Sequence, residues 1–165
     1  TAADLFGPDM STTRAMIVTV LHRLAGEPDI DGEAFDDVNP DAWYAKAVAW
    51  ARANAIVFGI GENLYAPDRP ITREELTAIL KRRADYAGVE LPVIREYTGF
   101  PDETKIADYA KDAVEAFFKA GVINGKDNGL FDPTGPATRA EFSAMLRRLN
   151  TVDVLLAWQA WQAAS

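Results

Sequence analysis

The sequence predicts an all-α protein built from repeated helix–loop–helix units, and three observations support this prediction. The chain repeats itself at a fixed offset, each repeat carries apolar residues at helical spacing, and each apolar stripe follows a Thr that can cap a helix. The composition, with 48% hydrophobic and 25% charged residues in 165, is that of a folded domain with a hydrophobic core.

The repeat becomes visible when the sequence is compared with itself. Residues 43–83 align without a gap with residues 109–149, and residues 5–23 align in the same way with residues 64–82. The linker between the second and third repeats is predicted at residues 84–99. The predicted division is a partial first repeat at 1–28, a complete second repeat at 29–88, a complete third repeat at 89–150 and a C-terminal helix at 151–165.

Each complete repeat opens on a Phe followed by acidic residues, AFDDV at 34–38 and GFPDE at 99–103. A first helix, a glycine-bearing turn and an aromatic-x-Pro step then lead into a second helix. The opening acids suit helix caps or solvated loop positions, and hydrogen bonds to sugar hydroxyls are the alternative. These acids are Asp36, Asp37, Asp102 and Glu103.

The second helix of each repeat begins at a Thr-Arg motif. Thr72 and Glu75 have the spacing of a capping box, which leaves Arg73 at the positive end of the helix dipole, where a cation is unfavourable. An ion pair with a nearby acid, such as Asp68, Glu75 or Glu141, is one explanation. The other is an anion site, in which free backbone N–H groups and the guanidinium bind a carboxylate or phosphate.

The Thr-Arg motif recurs in all three repeats. An arginine that recurs at an unfavourable position is better explained by a ligand than by stability. Aromatic residues at the start of the first helices, Trp43 and Tyr109, can stack on the apolar face of a sugar or fill the core, as can Trp50. Besides Trp43 and Tyr109, the candidate ligand-binding residues are Thr13, Arg14, Thr72, Arg73, Glu75, Thr138, Arg139 and Glu141.

Other functional classes find little support in the sequence. The net charge of −8 argues against nucleic acid as a partner, and no apolar run approaches the ~20 residues of a membrane span. The first residues lack the pattern of a signal peptide, and cysteine is absent. DIDGE (29–33) and KDNG (126–129) lack the spacing of calcium loops, and His22 is predicted to be structural. We therefore predict no metal, cofactor or catalytic residue.

The repeated motifs closely resemble those of S-layer homology (SLH) domains. The resemblance is carried by AFDDV, GFPDE, the YAP and FDP steps, ITREE at 71–75, GVING at 121–125 and ATRAE at 137–141. It implies a pseudo-threefold domain in which the motif-bearing helices meet in a central three-helix bundle. It also implies a non-catalytic, extracellular anchor that binds a pyruvylated secondary polymer of the bacterial cell wall through the motif residues. Met16 departs from the family's Glu, which weakens the first site.

Two further questions stay open at this stage. The tail carries an apolar helical stripe, Val154, Leu155, Trp158 and Trp161, which can close the threefold arrangement in place of the absent first helix of repeat 1. It can equally pack elsewhere or on a neighbouring chain, so that an oligomer is possible.

A protein–protein scaffold that uses the same grooves is the alternative function. An enzyme acting on wall polysaccharide is disfavoured because no acid/base carboxylate pair is evident.

Overall fold

The computed structural model describes residues 7–163, with side chains described through residue 152. This part of the chain contains five α-helices and no β-strand, which confirms the predicted all-α class. A single turn of 3₁₀ helix at Glu103–Lys105 precedes the fourth helix. The helices are α1 (Arg14–Leu24), α2 (Ala45–Ala53), α3 (Arg73–Tyr86), α4 (Asp108–Lys119) and α5 (Arg139–Ala163).

The capping pattern explains where the second helix of each repeat begins. In α3 the Thr72 hydroxyl accepts from the Glu75 N–H at 3.3 Å, and the Glu75 carboxylate accepts from the Thr72 N–H at 2.9 Å. Thr138 and Glu141 form the same reciprocal pair at the start of α5. In α1 the Thr13 hydroxyl accepts from the Met16 N–H, but a methionine offers no carboxylate in return. Both predicted capping boxes are confirmed.

Two compact units can be described, each by itself. In the small unit, Ser11–Ile71, α1 packs on α2 around buried Ile17, Leu21 and Trp50. In the large unit, which holds Thr72–Ser165 and the described residues of Thr1–Met10, α3 packs on α4 and contacts α5. In both units the second helix of one repeat therefore packs on the first helix of the next repeat.

The tail continues α5 rather than forming a separate helix, since α5 runs without a break to Ala163. Its side chains, including those of Val154, Leu155, Trp158 and Trp161, lie outside the described residues, and so does the closing-helix hypothesis. The repeat boundaries and the pseudo-threefold arrangement stay predictions. The linker begins later than predicted, because α3 extends to Tyr86.

Candidate functional site

In repeats 2 and 3, an acid from the opening motif holds the aromatic-x-Pro turn of the same repeat. The Asp37 carboxylate accepts from the backbone N–H groups of Tyr65 and Ala66 at 2.8 and 2.7 Å. Asp102 accepts from the N–H groups of Phe131 and Asp132 at 2.9 and 2.8 Å. These two acids therefore hold turns, a structural role that differs from the predicted helix caps and solvated loop positions, and their carboxylates are not free to bind a sugar.

The opening Phe packs on the aromatic residue of the same turn. The ring centroids of Phe35 and Tyr65 lie 5.4 Å apart, and those of Phe100 and Phe131 lie 5.5 Å apart. A glycine faces each opening Phe at a φ of about 80°, which favours glycine. A Cβ at Gly59 would lie 2.7 Å from Phe35, and one at Gly125 would lie 2.9 Å from Phe100.

Two of the motif arginines, Arg14 and Arg73, are buried against these turns. Arg14 and Arg73 are 4% and 8% exposed. The Arg14 Nε donates to the Tyr65 carbonyl at 2.8 Å, and the Arg73 Nε donates to the Phe131 carbonyl at 2.6 Å. Arg14 and Arg73 therefore each bind the aromatic-x-Pro turn of the following repeat, a structural role that the sequence did not reveal.

Arg73 is also ion-paired with Glu141, one of the partners that the ion-pair explanation named. One oxygen of Glu141 accepts from Arg73 Nη1, while the other caps α5 through the Thr138 N–H. Arg73 Nη2 has no hydrogen-bond partner among the described residues. The ion pair connects the start of α3 to the start of α5. The Glu141 carboxylate is thus a counter-ion for Arg73.

The expectation of free backbone N–H groups at these helix starts is wrong. In α3 the Arg73 and Glu74 N–H groups donate to the carbonyls of Gly135 and Pro133, and the Glu75 N–H donates to Thr72. The same scheme operates in α1, toward Arg69 and Pro67, and in α5, toward Met10 and Pro8. Since the turn of another repeat satisfies these donors, the helix starts do not offer an anion site by themselves.

A cleft of about 650 Å³ in the large unit combines motif residues with the glycine-bearing turn of repeat 3. One wall is the turn at 123–128, which contains Asn124 and Lys126. The other wall is one face of α5, formed by Glu141, Ala144, Met145 and Arg148 at i, i+3, i+4 and i+7. Arg73 and Glu141, two of the candidate ligand-binding residues, therefore line the same cleft.

The cleft is cationic although the chain is acidic. Its lining contains the three cations Arg73, Lys126 and Arg148 against the two carboxylates Asp127 and Glu141, whereas the net charge of the chain is −8. A concave site of this volume with a local positive excess attracts small anionic groups. The cleft can therefore bind an anion through side chains rather than through a helix N-terminus.

The predicted aromatic residues divide into two groups. Trp50 is fully buried and belongs to the core, whereas Trp43 and Tyr109 are 63% and 52% exposed. Trp43 precedes α2, where its ring meets that of Tyr44 edge to face at 5.1 Å. Tyr109 lies in the first turn of α4 and does not line the cleft. More than half of each of these two side chains is therefore exposed to solvent.

His22 has the structural position predicted for it. A ring nitrogen lies 3.0 Å from the Pro28 carbonyl, and the ring packs at 5.3 Å from that of Trp50. Among the described residues, histidine and carboxylate side chains form no group of three that could hold a metal ion. Across the described residues, no helix combines the length and the apolar character that crossing a membrane requires.

Sequence reasoning missed three residues of the site. Lys126 and Arg148 line the cleft, and Arg95, from the linker, donates to the Phe118 and Ile123 carbonyls and to the Asn124 side chain at its edge. The recurrence of an Arg nine residues after each motif Arg was an available signal for Arg148. Nothing in the sequence singles out Arg95.

Comparison with known proteins identifies the family. The sequence profile of the S-layer homology domain matches residues 34–77 and 99–143, which is more than half of the chain. The chain is 36% identical over 143 residues to an amylopullulanase of Thermoanaerobacterium thermosulfurigenes and 32% identical over 155 residues to the surface-layer 125 kDa protein of Lysinibacillus sphaericus. An S-layer protein of Bacillus anthracis, named sap, is 26% identical over 142 residues.

The matched region is a small part of these relatives. It covers 86% of this chain but 8% of the amylopullulanase, and 90% of this chain but 12% of the Lysinibacillus protein. The Bacillus match covers 86% of this chain and 16% of that protein. The chain belongs to the S-layer homology domain family, whose members are non-catalytic anchoring modules of S-layer proteins and surface enzymes. The predicted family and the location at the bacterial cell surface are confirmed.

Proposed function

We propose that this chain anchors its parent protein to the cell wall by binding an anionic glycan, and that the bound group is the carboxylate of a pyruvylated secondary polymer. The observation that carries the proposal is the cationic cleft between the repeat 3 turn and α5 in an otherwise acidic chain. A carboxylate gains charge-assisted hydrogen bonds there, while the apolar side chains of Ala144 and Met145 suit the flat face of a sugar ring.

The motif residues have two roles in this proposal. Arg73 and Glu141 line the cleft directly, and Arg73 Nη2 remains available to donate to the ligand. Thr72, Glu75 and Thr138 fix the helix starts from which those side chains project. We extend the proposal to the corresponding motif residues Thr13, Arg14 and Arg139, and to Trp43 and Tyr109 as stacking surfaces. Several weak sites on one chain would give avidity for a repeating polymer.

A sacculus-binding assay tests the function. Wild-type protein should sediment with purified bacterial sacculi and should lose that binding after chemical removal of the secondary polymer. Equal binding to treated and untreated sacculi would overturn the glycan proposal and would favour the scaffold alternative.

A pair of cleft-filling variants tests the site. Ala144→Trp places a large side chain in the cleft, whereas Ser143→Trp places the same side chain on an exposed position of the same helix. Ala144→Trp should weaken sacculus binding by about tenfold or more, the loss expected for one charge-assisted contact. Ser143→Trp should bind as wild type, and both should keep the wild-type circular dichroism spectrum. Equal binding by both variants would place the site elsewhere.

A further inference from the structure

The two ends of the cleft carry different arginines, and they have different surroundings. Glu141 and Arg148 lie seven residues apart on one face of α5, which separates their backbones by about 10 Å along the helix. Arg73 pairs with Glu141 at one end. Arg148 lies at the other end, half-buried, and donates from Nη1 to the Val122 carbonyl at 3.1 Å.

The three cations of the cleft differ in what neutralises them. Arg73 is paired with Glu141, and Lys126 is paired with Asp132. Arg148 has no carboxylate partner in the part of the chain that the structure describes, and its bond to Val122 uses a neutral carbonyl. Arg148 is therefore the cation of the cleft lining that no described carboxylate pairs with, and an incoming anion need not displace an existing ion pair there.

Helix geometry explains why this arginine and not the motif arginine of α5 faces the cleft. Arg139 and Arg148 are nine residues apart, which corresponds to two and a half turns and places them on opposite faces. One end of the cleft therefore receives its arginine from α3 and the other receives it from α5. An Arg also stands nine residues after the motif Arg in repeats 1 and 2, as Arg23 and Arg82, but Arg23 is exposed and lies 3.6 Å from Glu27.

We propose that Arg148 is the residue that binds the ligand carboxylate in this cleft, and that Arg73 mainly builds the wall beside it. This inference rests on the proposed function, since it assigns the anion of that glycan to one end of the cleft. The turn residue Val122 holds the guanidinium in place through its carbonyl, so that the Nη2 and Nε donors can point to a carboxylate as a fork.

Binding measurements with matched variants test the assignment. Arg148→Gln should weaken binding to purified sacculi by about tenfold or more. Arg148→Lys, which keeps the charge but loses the fork, should fall between Arg148→Gln and wild type. Arg147→Gln removes the same charge from the adjacent, exposed position and should change the affinity less than twofold.

A small-molecule probe gives an independent readout. The carboxylate 2,2-dimethoxypropionate is a simple pyruvate ketal, and its methyl ester is a neutral control of nearly the same shape. In an NMR titration of the wild-type protein, the acid should shift the Arg148 Nε–H resonance and the amides of residues 123–128, and the ester should not. Shifts centred on the Arg73 Nε–H, or equal shifts with the ester, would overturn the assignment.

The outcomes separate this inference from the proposed function. If wild-type binding depends on the polymer and Arg148→Gln binds as wild type, the assignment of Arg148 is wrong and the glycan-anchor proposal stands. If wild-type binding does not depend on the polymer, both are wrong. If Arg148→Gln has the same midpoint of thermal unfolding as the wild type, a loss of binding by this variant is not caused by a loss of fold.

Discussion

The aromatic-x-Pro turns of repeats 2 and 3 share one internal design and differ on their outer surfaces. In both, an Asp binds two backbone N–H groups, a Phe packs on the turn aromatic, and a motif Arg from the preceding repeat donates to the carbonyl of that aromatic residue. In the glycine-bearing turn that precedes each aromatic-x-Pro turn, repeat 2 exposes Phe58 and Ile60 where repeat 3 carries Asn124 and Lys126.

This difference separates the residues that build the turns from the residues that determine their exposed surfaces. Residues that recur in both turns are the ones that build them. Residues that differ between the turns, such as Ile60 and Lys126, set the chemistry of the exposed surface. Within these turns, specificity for a ligand should therefore be sought where the two repeats diverge, whereas changes at the recurring turn positions should act mainly on stability.

The largest effect is expected when a motif arginine is removed. Arg73→Ala leaves the Phe131 carbonyl without its 2.6 Å donor and leaves Glu141 without its counter-ion. We expect a loss of about 3 kcal/mol in the free energy of unfolding, measured by urea denaturation. Arg147→Ala, at an exposed position, should change the same quantity by less than about 0.5 kcal/mol. A loss below about 1 kcal/mol for Arg73→Ala would show that the arginine is not needed for the turn.

Substitution of the turn glycines is expected to have an intermediate effect on the free energy of unfolding. It also shows which of the two turns tolerates a Cβ less well. A Cβ at Gly59 would lie 2.5 Å from the Leu64 carbonyl oxygen, while at Gly125 the corresponding distance to Leu130 is 3.1 Å. Both sites have positive φ, so each Ala variant should cost about 1–2 kcal/mol for conformation alone, and Gly59→Ala should cost more. Gly129→Ala, with positive φ and nothing within 4 Å, isolates the conformational cost. Equal losses for Gly59→Ala and Gly129→Ala would show that the turn has room to relax.

The smallest effect is expected from pH and concerns the repeat 3 turn. Burial alone would raise the pKa of Asp102, but the hydrogen bonds from the Phe131 and Asp132 N–H groups outweigh burial and hold the pKa below its ordinary value. A lowered pKa in the folded state stabilises the protein above the ordinary Asp pKa of about 4, and the contribution is lost as the pH falls below that value.

A pair of asparagine variants measures this contribution. Asp102→Asn should flatten the dependence of unfolding free energy on pH between 5 and 3 relative to wild type. Asp112→Asn, at an exposed position of α4, serves as the control and should keep the wild-type slope. A wild-type slope in Asp102→Asn would mean that other groups account for the acid sensitivity.

Much of the fold could be predicted from the sequence because its determinants are local. Helix starts follow from Thr-x-x-Glu spacing, as at Thr72 and Thr138, and helix faces follow from the apolar stripe, as at Leu76, Ile79 and Leu80. The tail was predicted as a helix of its own, whereas α5 runs through it to Ala163, in keeping with the absence of Gly and Pro from residues 139–163.

The site was harder to predict because its determinants lie far apart in the chain. Arg73 stood out as a charge with no local explanation, yet its partners are 58 and 68 residues away at Phe131 and Glu141. Arg148 is less conspicuous, because an arginine late in an amphipathic helix is ordinary and only its recurrence as Arg23 and Arg82 distinguishes it. Only the tertiary arrangement shows that one arginine is neutralised and the other faces the cleft.

The pairing of helices across repeat boundaries has a consequence for how such a protein can be recombined. A segment cut at the sequence boundaries of a repeat, such as 29–88, takes α2 away from α1 and α3 away from α4. A segment that runs from the motif Thr through the next aromatic-x-Pro turn keeps a helix pair and the turn bonded to it, as Ser11–Ile71 does. The segment that can be exchanged as a unit is therefore shifted by half a repeat from the boundaries of the sequence repeat. Chimeras with other anchoring modules should accordingly be joined within repeats rather than between them.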